Sequence, residues 1–374
     1  METDVPFQPL YYNGAGVLIM RLFILPVLLI ISVSVFAEKE VKGILNRDTR
    51  WNADEGPYRL SGDIVVARNI RLTIAPGCRI SVASIDHKDT AITQYDKIDS
   101  RYISIKVYGT LICIGSQEKR TVFAPDSLNT SLPAWYGIVL DGAEDQFTEI
   151  AHTDITGAYN GITVRRCAPL IHHTVIIRNH TGLLCSDYGS ATLINCLVGY
   201  NTSSGIRIDK SNPEILNSMV IFNRNNGLWC DGASRITFTY NCIFGNGDGD
   251  LLDCDPEIGL PVKKNKNGDS IDIYKNLRLN PIFSGSPAEA ASRRQDPAVP
   301  TPAGQIRNPE IAAIVHDGSS DSSQSQPPSP GKQYELSEYS PCRDAGEPSS
   351  KLKDRDGSRN DIGIYGGPPI INHR

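Results

Sequence analysis

The sequence predicts an all-β solenoid, a parallel β-helix of about 22 residues per coil. Three observations carry this. Glycines followed by an apolar residue recur at Gly137, Gly161, Gly182, Gly205 and Gly227, with separations of 24, 21, 23 and 22. Asn179, Asn201 and Asn223 are spaced by 22 and 22, and His173, Asn195 and Asn217 stand six residues before them. Each unit also carries an alternating run such as Gly205-Ile-Arg-Ile208 and a second β-rich run such as Ser218-Met-Val-Ile221, with no helical period between them. Such a unit supplies three short strands with their turns, and stacked units bury one continuous core.

Composition narrows the alternatives. The 374 residues carry 37 basic and 42 acidic side chains, a formal charge of −5, which leaves no electrostatic footprint for nucleic acid. A hydrophobic share of 40% is too high for a disordered chain, and Gly 32 with Pro 24 but no G-X-Y period excludes a collagen-like one. Length alone suggests two or three domains. The period replaces that count with a single solenoid of about ten coils at most. The 9 cysteines are too sparse for a small disulfide scaffold, and no CxxC or Cys/His zinc spacing occurs. No G-x-S-x-G, Walker or G-x-G-x-x-G pattern supports a serine hydrolase or a nucleotide-binding protein.

Residues 1–37 read as a signal peptide. From Met20 one Arg precedes an apolar run, Leu22 to Phe36, and a Val35-Phe36-Ala37 end. That run is shorter than the roughly 20 residues needed to span a bilayer as a helix. Cleavage after Ala37, translation from Met20 and a secreted, periplasmic or cell-surface location are expected, with no stable membrane span in the mature chain.

Residues 38–108 are assigned to an N-terminal cap and first coils, and 109–283 to the β-helix repeats. Within these, Ile162 and Val164, Leu183 and Cys185, Ile206 and Ile208, and Leu228 and Cys230 should point inward as columns of like residues. Asn at one turn per coil should form a buried amide ladder, with His173 capping it. Cys185, Cys196 and Cys230 fall at inward positions and serve as small hydrophobes, disulfides between stacked coils being the alternative. Adjacent strand residues face opposite ways, so His172 and His173 should not act on one site. Residues 284–333, rich in Pro and Ser, read as a disordered insertion. Residues 334–374 form a tail expected to pack on the helix end.

Particular segments resemble a known family. Trp51…Gly56-Pro-Tyr-Arg-Leu-Ser-Gly-Asp-Ile-Val-Val66, Leu72-Thr-Ile-Ala-Pro-Gly77 and Gly109-Thr-Leu-Ile-Cys-Ile-Gly115 resemble the first coils of secreted right-handed parallel β-helix proteins with the pectin-lyase-like fold. Ser340-Pro-Cys-Arg-Asp-Ala-Gly346 and Asp356-Gly-Ser-Arg-Asn-Asp-Ile-Gly-Ile-Tyr-Gly-Gly367 look like the tail of bacterial members. The resemblance implies the fold and not an activity. The N-T-D, D-D, G-H-G and R-I-K arrays typical of polygalacturonases are missing, and only Arg207-Ile-Asp-Lys210 is faintly similar.

Two outward columns hold the candidate site: Thr163, Leu184, Arg207, Trp229 and Asp253, and beside it Arg165, Ser186, Asp209, Asp231 and Asp255. With coils about 4.8 Å apart, Asp209, Asp231 and Asp255 would form a carboxylate ladder. Carboxylates about 5 Å or about 9 Å apart suit retaining or inverting glycoside hydrolysis. Asp209, Asp231 and Arg207 are therefore the catalytic candidates, and Trp229, Arg165 and Asp253 the substrate-binding ones. Alternatively Asp231, Asp253 and Asp255 hold Ca²⁺ that bridges an acidic polysaccharide, with Arg207 or Arg165 as base or clamp, as in a lyase. Asn246-Gly-Asp-Gly-Asp250 and Asp354 to Asp361 also resemble oxygen-rich calcium loops. The function expected is binding, with cleavage as a further option, of polysaccharide or cell-surface glycan by a monomer; the alternative is a non-catalytic envelope or adhesive scaffold.

Overall fold

The computed structural model describes residues 38–83, 102–126, 133–143, 148–286 and 334–368. They form a right-handed parallel β-helix of about eight coils of about 23 residues. The signal-peptide segment and nearly all of the 284–333 insertion lie outside the described residues, and the described residues belong to one compact unit.

One coil shows the construction. Leu170–His172 lies on one face, Val175–Ile177 on a second and Thr181–Ser186 on a third, and each pairs in parallel with its counterparts one coil before and after. The first of these faces is an eight-stranded sheet running from Thr49–Trp51 to Thr237–Thr239. Below, these are the His172, Ile176 and Leu184 faces. The long strand Tyr58–Val66 joins the other two faces at the start, pairing with Arg79–Val82 through its first residues and with Ser104–Val107 through its last.

The expected inward columns are observed. Ile162, Val164, Leu183, Cys185, Ile206, Ile208, Leu228 and Cys230 are all buried, in one cluster running from Trp51 to Ile258. Fully burying such a side chain contributes about 1.5–3 kcal/mol, so alignment of like residues at each coil is the main term holding the stack together.

The amide ladder is present and longer than expected. Asn201 Oδ1 accepts from the Asn179 backbone N–H, Asn201 Nδ2 donates to Asn223 Oδ1, and Asn223 Nδ2 donates to Asn246 Oδ1. Asp250 ends it, accepting from Asn246 Nδ2 at 2.8 Å. This explains the glycine repeat: a Cβ at Gly182 would lie 2.8 Å from Asn201 Nδ2 and 2.5 Å from Val198 Cγ1.

His173 does not cap this ladder. It belongs with His152, Asn195, Asn217 and Tyr240 to a second column, at the corner between the His172 and Ile176 faces, where all five have φ between 45 and 55°. That column docks the tail. Asn195 Nδ2 donates to the carbonyls of Asp361 and Gly363, Asn217 Oδ1 accepts from Glu347 N, and His173 Nε2 meets Gly366 O at 2.9 Å. The tail thus lies along the side of several coils, and not across the helix end as expected. The reason is apolar. Val175, Ile177, Leu197, Met219 and Ile221 are buried beneath Tyr334, Cys342, Ile362 and Ile364, so this face must be covered on its outer side as well.

Candidate functional site

The Leu184 face carries the outward columns. Strand register places Val65, Lys106, Val139, Thr163, Leu184, Arg207, Trp229 and Leu252 in one row. Its first four members are buried despite pointing away from the core, and only the last four reach solvent. Arg207 is exposed with its guanidinium carbon 4.1 Å from the Trp229 ring centre. Leu184 and Leu252 flank this pair.

Asp253 is not in that row. Gly249 pairs with Asn226 and Leu251 with Leu228, which puts Leu252 opposite Trp229, one residue earlier than the match of Leu252 to Leu228 implies. The strand ends at Leu252, and Asp253 turns away with φ 54°. The carboxylate ladder therefore loses its last rung as well. Asp255 accepts from Glu257 N at 2.9 Å and from the Tyr274 hydroxyl at 2.8 Å, and that bond leads the effects pushing the Tyr274 phenol up to about 12.

Asp209 and Asp231 do follow each other one coil apart, their backbone N–H groups donating to Cys185 and Ile208 carbonyls. Asp231, however, is held by its own turn. Its carboxylate accepts from the N–H groups of Lys210, Ala233 and Ser234 at 2.8, 3.0 and 2.8 Å. The Ser234 side chain, then these backbone donors, hold its pKa below the usual carboxylate range. This carboxylate is therefore engaged as the acceptor of its own turn.

Arg165 is spent inside the fold. It pairs with buried Asp141 at 2.7 Å, and Arg166 binds the other oxygen of the same carboxylate. Drawing Arg165 off as a clamp would weaken the support of a buried charge. Beside this group lies a pair absent from the sequence-level candidates: Lys106 Nζ and Asp63 Oδ2, both buried and 4.0 Å apart, with Asp63 Oδ1 accepting from Ser104 N and Oγ. A lysine at an outward strand position was the available signal.

The two loops resembling calcium sites also have internal partners. Asp250 accepts from Asn246 and from Arg278 at 3.1 and 3.0 Å. Asp354 accepts from Asp361 N and Gly367 N, and Asp361 from Asp344 N. Asp253 and Asp255 line a cleft of about 340 Å³ with Cys230, Gly232, Ser234, Arg235, Ile236 and Cys254. Asp231 is not among its walls, so the three proposed calcium ligands do not converge there.

The two histidines contradict the alternation rule. His173 has φ 48°, outside the strand region, and its ring swings to the side of His172, the two Nδ1 atoms lying 2.9 Å apart. His152 from the preceding coil stacks on His173 with centroids 4.7 Å apart. Burial first, then the charge of Arg120, lowers His152 to about 4, and burial drives His173 well below the ordinary value.

Comparison with known proteins agrees with the architecture. A family model described as a right-handed β-helix region matches residues 128–268. Among solved structures the chain is similar to the crystal structure of pectate lyase Pel9A, with 14% identity and a TM-score of 0.32 over 81% of this chain and 89% of that one. At that level the likeness carries no argument about the fold or the site, and the agreement rests on the family model. No curated protein matches in sequence.

Proposed function

We propose that this chain is an exported β-helix protein that binds polysaccharide through the exposed end of the Leu184 face. The observation that carries the reading is the Arg207 guanidinium lying over the Trp229 ring on a solvent-facing row flanked by Leu184 and Leu252. A planar guanidinium stacked over an indole presents a flat surface rimmed with N–H donors, which suits the hydroxyl or carboxylate acceptors of a sugar. Asp209 and Arg207 would serve as polar partners. Binding is favoured over cleavage because Asp231 serves as a turn acceptor and Arg165 is committed to Asp141. The same facts favour the second reading, an envelope scaffold presenting loops, over an enzyme. Export is the reading of Met20 to Ala37; among the described residues no helix is long and apolar enough to cross a membrane.

The test is retention on a panel of neutral and acidic polysaccharides, with and without Ca²⁺. Wild type should bind at least one, and Trp229→Ala should weaken that binding about tenfold, or about 1.4 kcal/mol, with an unchanged circular dichroism spectrum. Failure of wild type to bind any of them would leave the scaffold reading.

A further inference from the structure

We propose that His152, His172 and His173 form a buried site for one divalent transition-metal ion of the zinc class, stapling two neighbouring coils to the C-terminal tail. All three side chains are buried, and one ring nitrogen from each lies within 4.8 Å of the others.

The hydrogen-bond partners fix the tautomers. His173 Nε2 meets the Gly366 carbonyl at 2.9 Å, and a carbonyl only accepts, so that nitrogen carries the hydrogen. His172 Nε2 meets Glu149 Oε1 at 2.9 Å, and a carboxylate likewise accepts. Both neutral rings are then left with a lone pair on Nδ1, and these two lone pairs face each other across 2.9 Å. His152 Nδ1 is a third buried nitrogen and has no hydrogen-bond partner. Two Nδ1 lone pairs facing each other, with a nitrogen of the buried His152 ring within 4.8 Å of the cluster, call for a positive centre between them. A shared proton could bridge only two. A metal ion takes all three.

The surroundings match what such an ion requires. Imidazole suits zinc, copper and nickel more than calcium or magnesium. Histidine ligands characteristically donate their second N–H to a carboxylate or a backbone carbonyl, the roles filled here by Glu149 and Gly366. Arg120 pairs with Asp154 at 2.8 Å and also donates to the Thr153 and His173 carbonyls. Zinc–nitrogen bonds of about 2.0–2.1 Å place two ligands of a tetrahedral ion roughly 3.4 Å apart. The His172 and His173 nitrogens would open slightly to admit the ion, and the His152 ring would rotate toward it. Because Gly366 holds His173, loading the site should also hold the tail.

The test uses the whole chain purified through a chelator and titrated with Zn²⁺ alone and, separately, Co²⁺ alone. The expected result is one equivalent per chain, a visible d–d band with Co²⁺, a rise in Tm, and slower proteolysis of the tail. His152→Phe should abolish the band. Glu149→Gln, which keeps all three ligands, should weaken uptake about 10–100-fold while the β-sheet circular dichroism signal is retained. The proposal is overturned by absence of stoichiometric uptake of either ion, by uptake that neither variant alters, or by a far-downfield N–H proton shared by His172 and His173 that persists in excess Zn²⁺.

Discussion

At the scale of single residues, the fold depends on polar groups that repeat once per coil. Asn201 shows the cost of losing one. Its buried amide accepts from Asn179 N at 2.9 Å and donates to Asn223 Oδ1 at 2.8 Å and to the Ile176 carbonyl at 3.3 Å. Asn201→Ala strands these partners, and each unpaired buried group costs about 1–3 kcal/mol. The urea midpoint should fall accordingly, whereas exposed Arg224→Ala should change stability by no more than about 0.5 kcal/mol. A second residue-scale prediction concerns Cys230 and Cys254, whose Sγ atoms lie 2.8 Å apart at the edge of the 340 Å³ cleft. In an oxidising compartment this pair should close to a disulfide. Intact-mass measurement of the oxidised protein should show two fewer titratable thiols of the nine; nine after unfolding would refute it. The amide ladder was legible because identical contacts recur at a fixed pitch. The histidine cluster was not, because alternation holds only for strand backbone. The clue was positional: His173 shares its column with Asn195 and Asn217, and asparagine is the residue, after glycine, that most readily marks a left-handed corner.

At the scale of elements, the tail is the part whose placement the sequence concealed. The runs Val175-Ile-Ile177, Leu197-Val-Gly199 and Met219-Val-Ile221 are buried on both sides. A strand without polar alternation signals a covering layer, but the covering segment is remote in sequence. Its attachment should depend on pH. Burial pushes the Asp361 carboxyl up to about 6, against an ordinary 3.8, and raises Asp354 as well. The docked tail then binds protons more tightly than the free tail. Stabilisation from Asp361 is therefore fully present below about pH 3.8 and is lost as pH rises through about 6. Hydrogen exchange of residues 342–366, followed from pH 4 to 7 and corrected for intrinsic rates, should show this loosening. Asp361→Asn should flatten the profile; an unchanged profile would exclude Asp361 as its source. The final strand gives a similar lesson in register. Two successive leucines, Leu251 and Leu252, made the match to Leu228 ambiguous. Asn246 resolves it, since Leu251 follows Asn246 by the same five residues that separate Leu228 from Asn223.

At the scale of the molecule, the solenoid divides the Leu184 face into two halves with different fates. Over the early coils the outward row is buried and the charges on this face are paired, Lys106 with Asp63 and Arg165 with Asp141. Over the last coils the row opens to solvent at Leu184, Arg207, Trp229 and Leu252. The period in the sequence predicted the row and its order from Thr163 onward, apart from one residue at its end. It could not show which half is buried, because the repeat fixes the direction of an outward side chain and not its exposure. The central claim is that the open half is where polysaccharide is held. Hydroxyl-radical footprinting with a polysaccharide that the protein retains tests it most directly, with Tyr188, 75% exposed and off this row, as the internal control. Protection concentrated at Trp229, Leu184 and Leu252, with Tyr188 oxidised at its free rate, is the predicted result. Unchanged oxidation of Trp229 in the bound state would contradict it.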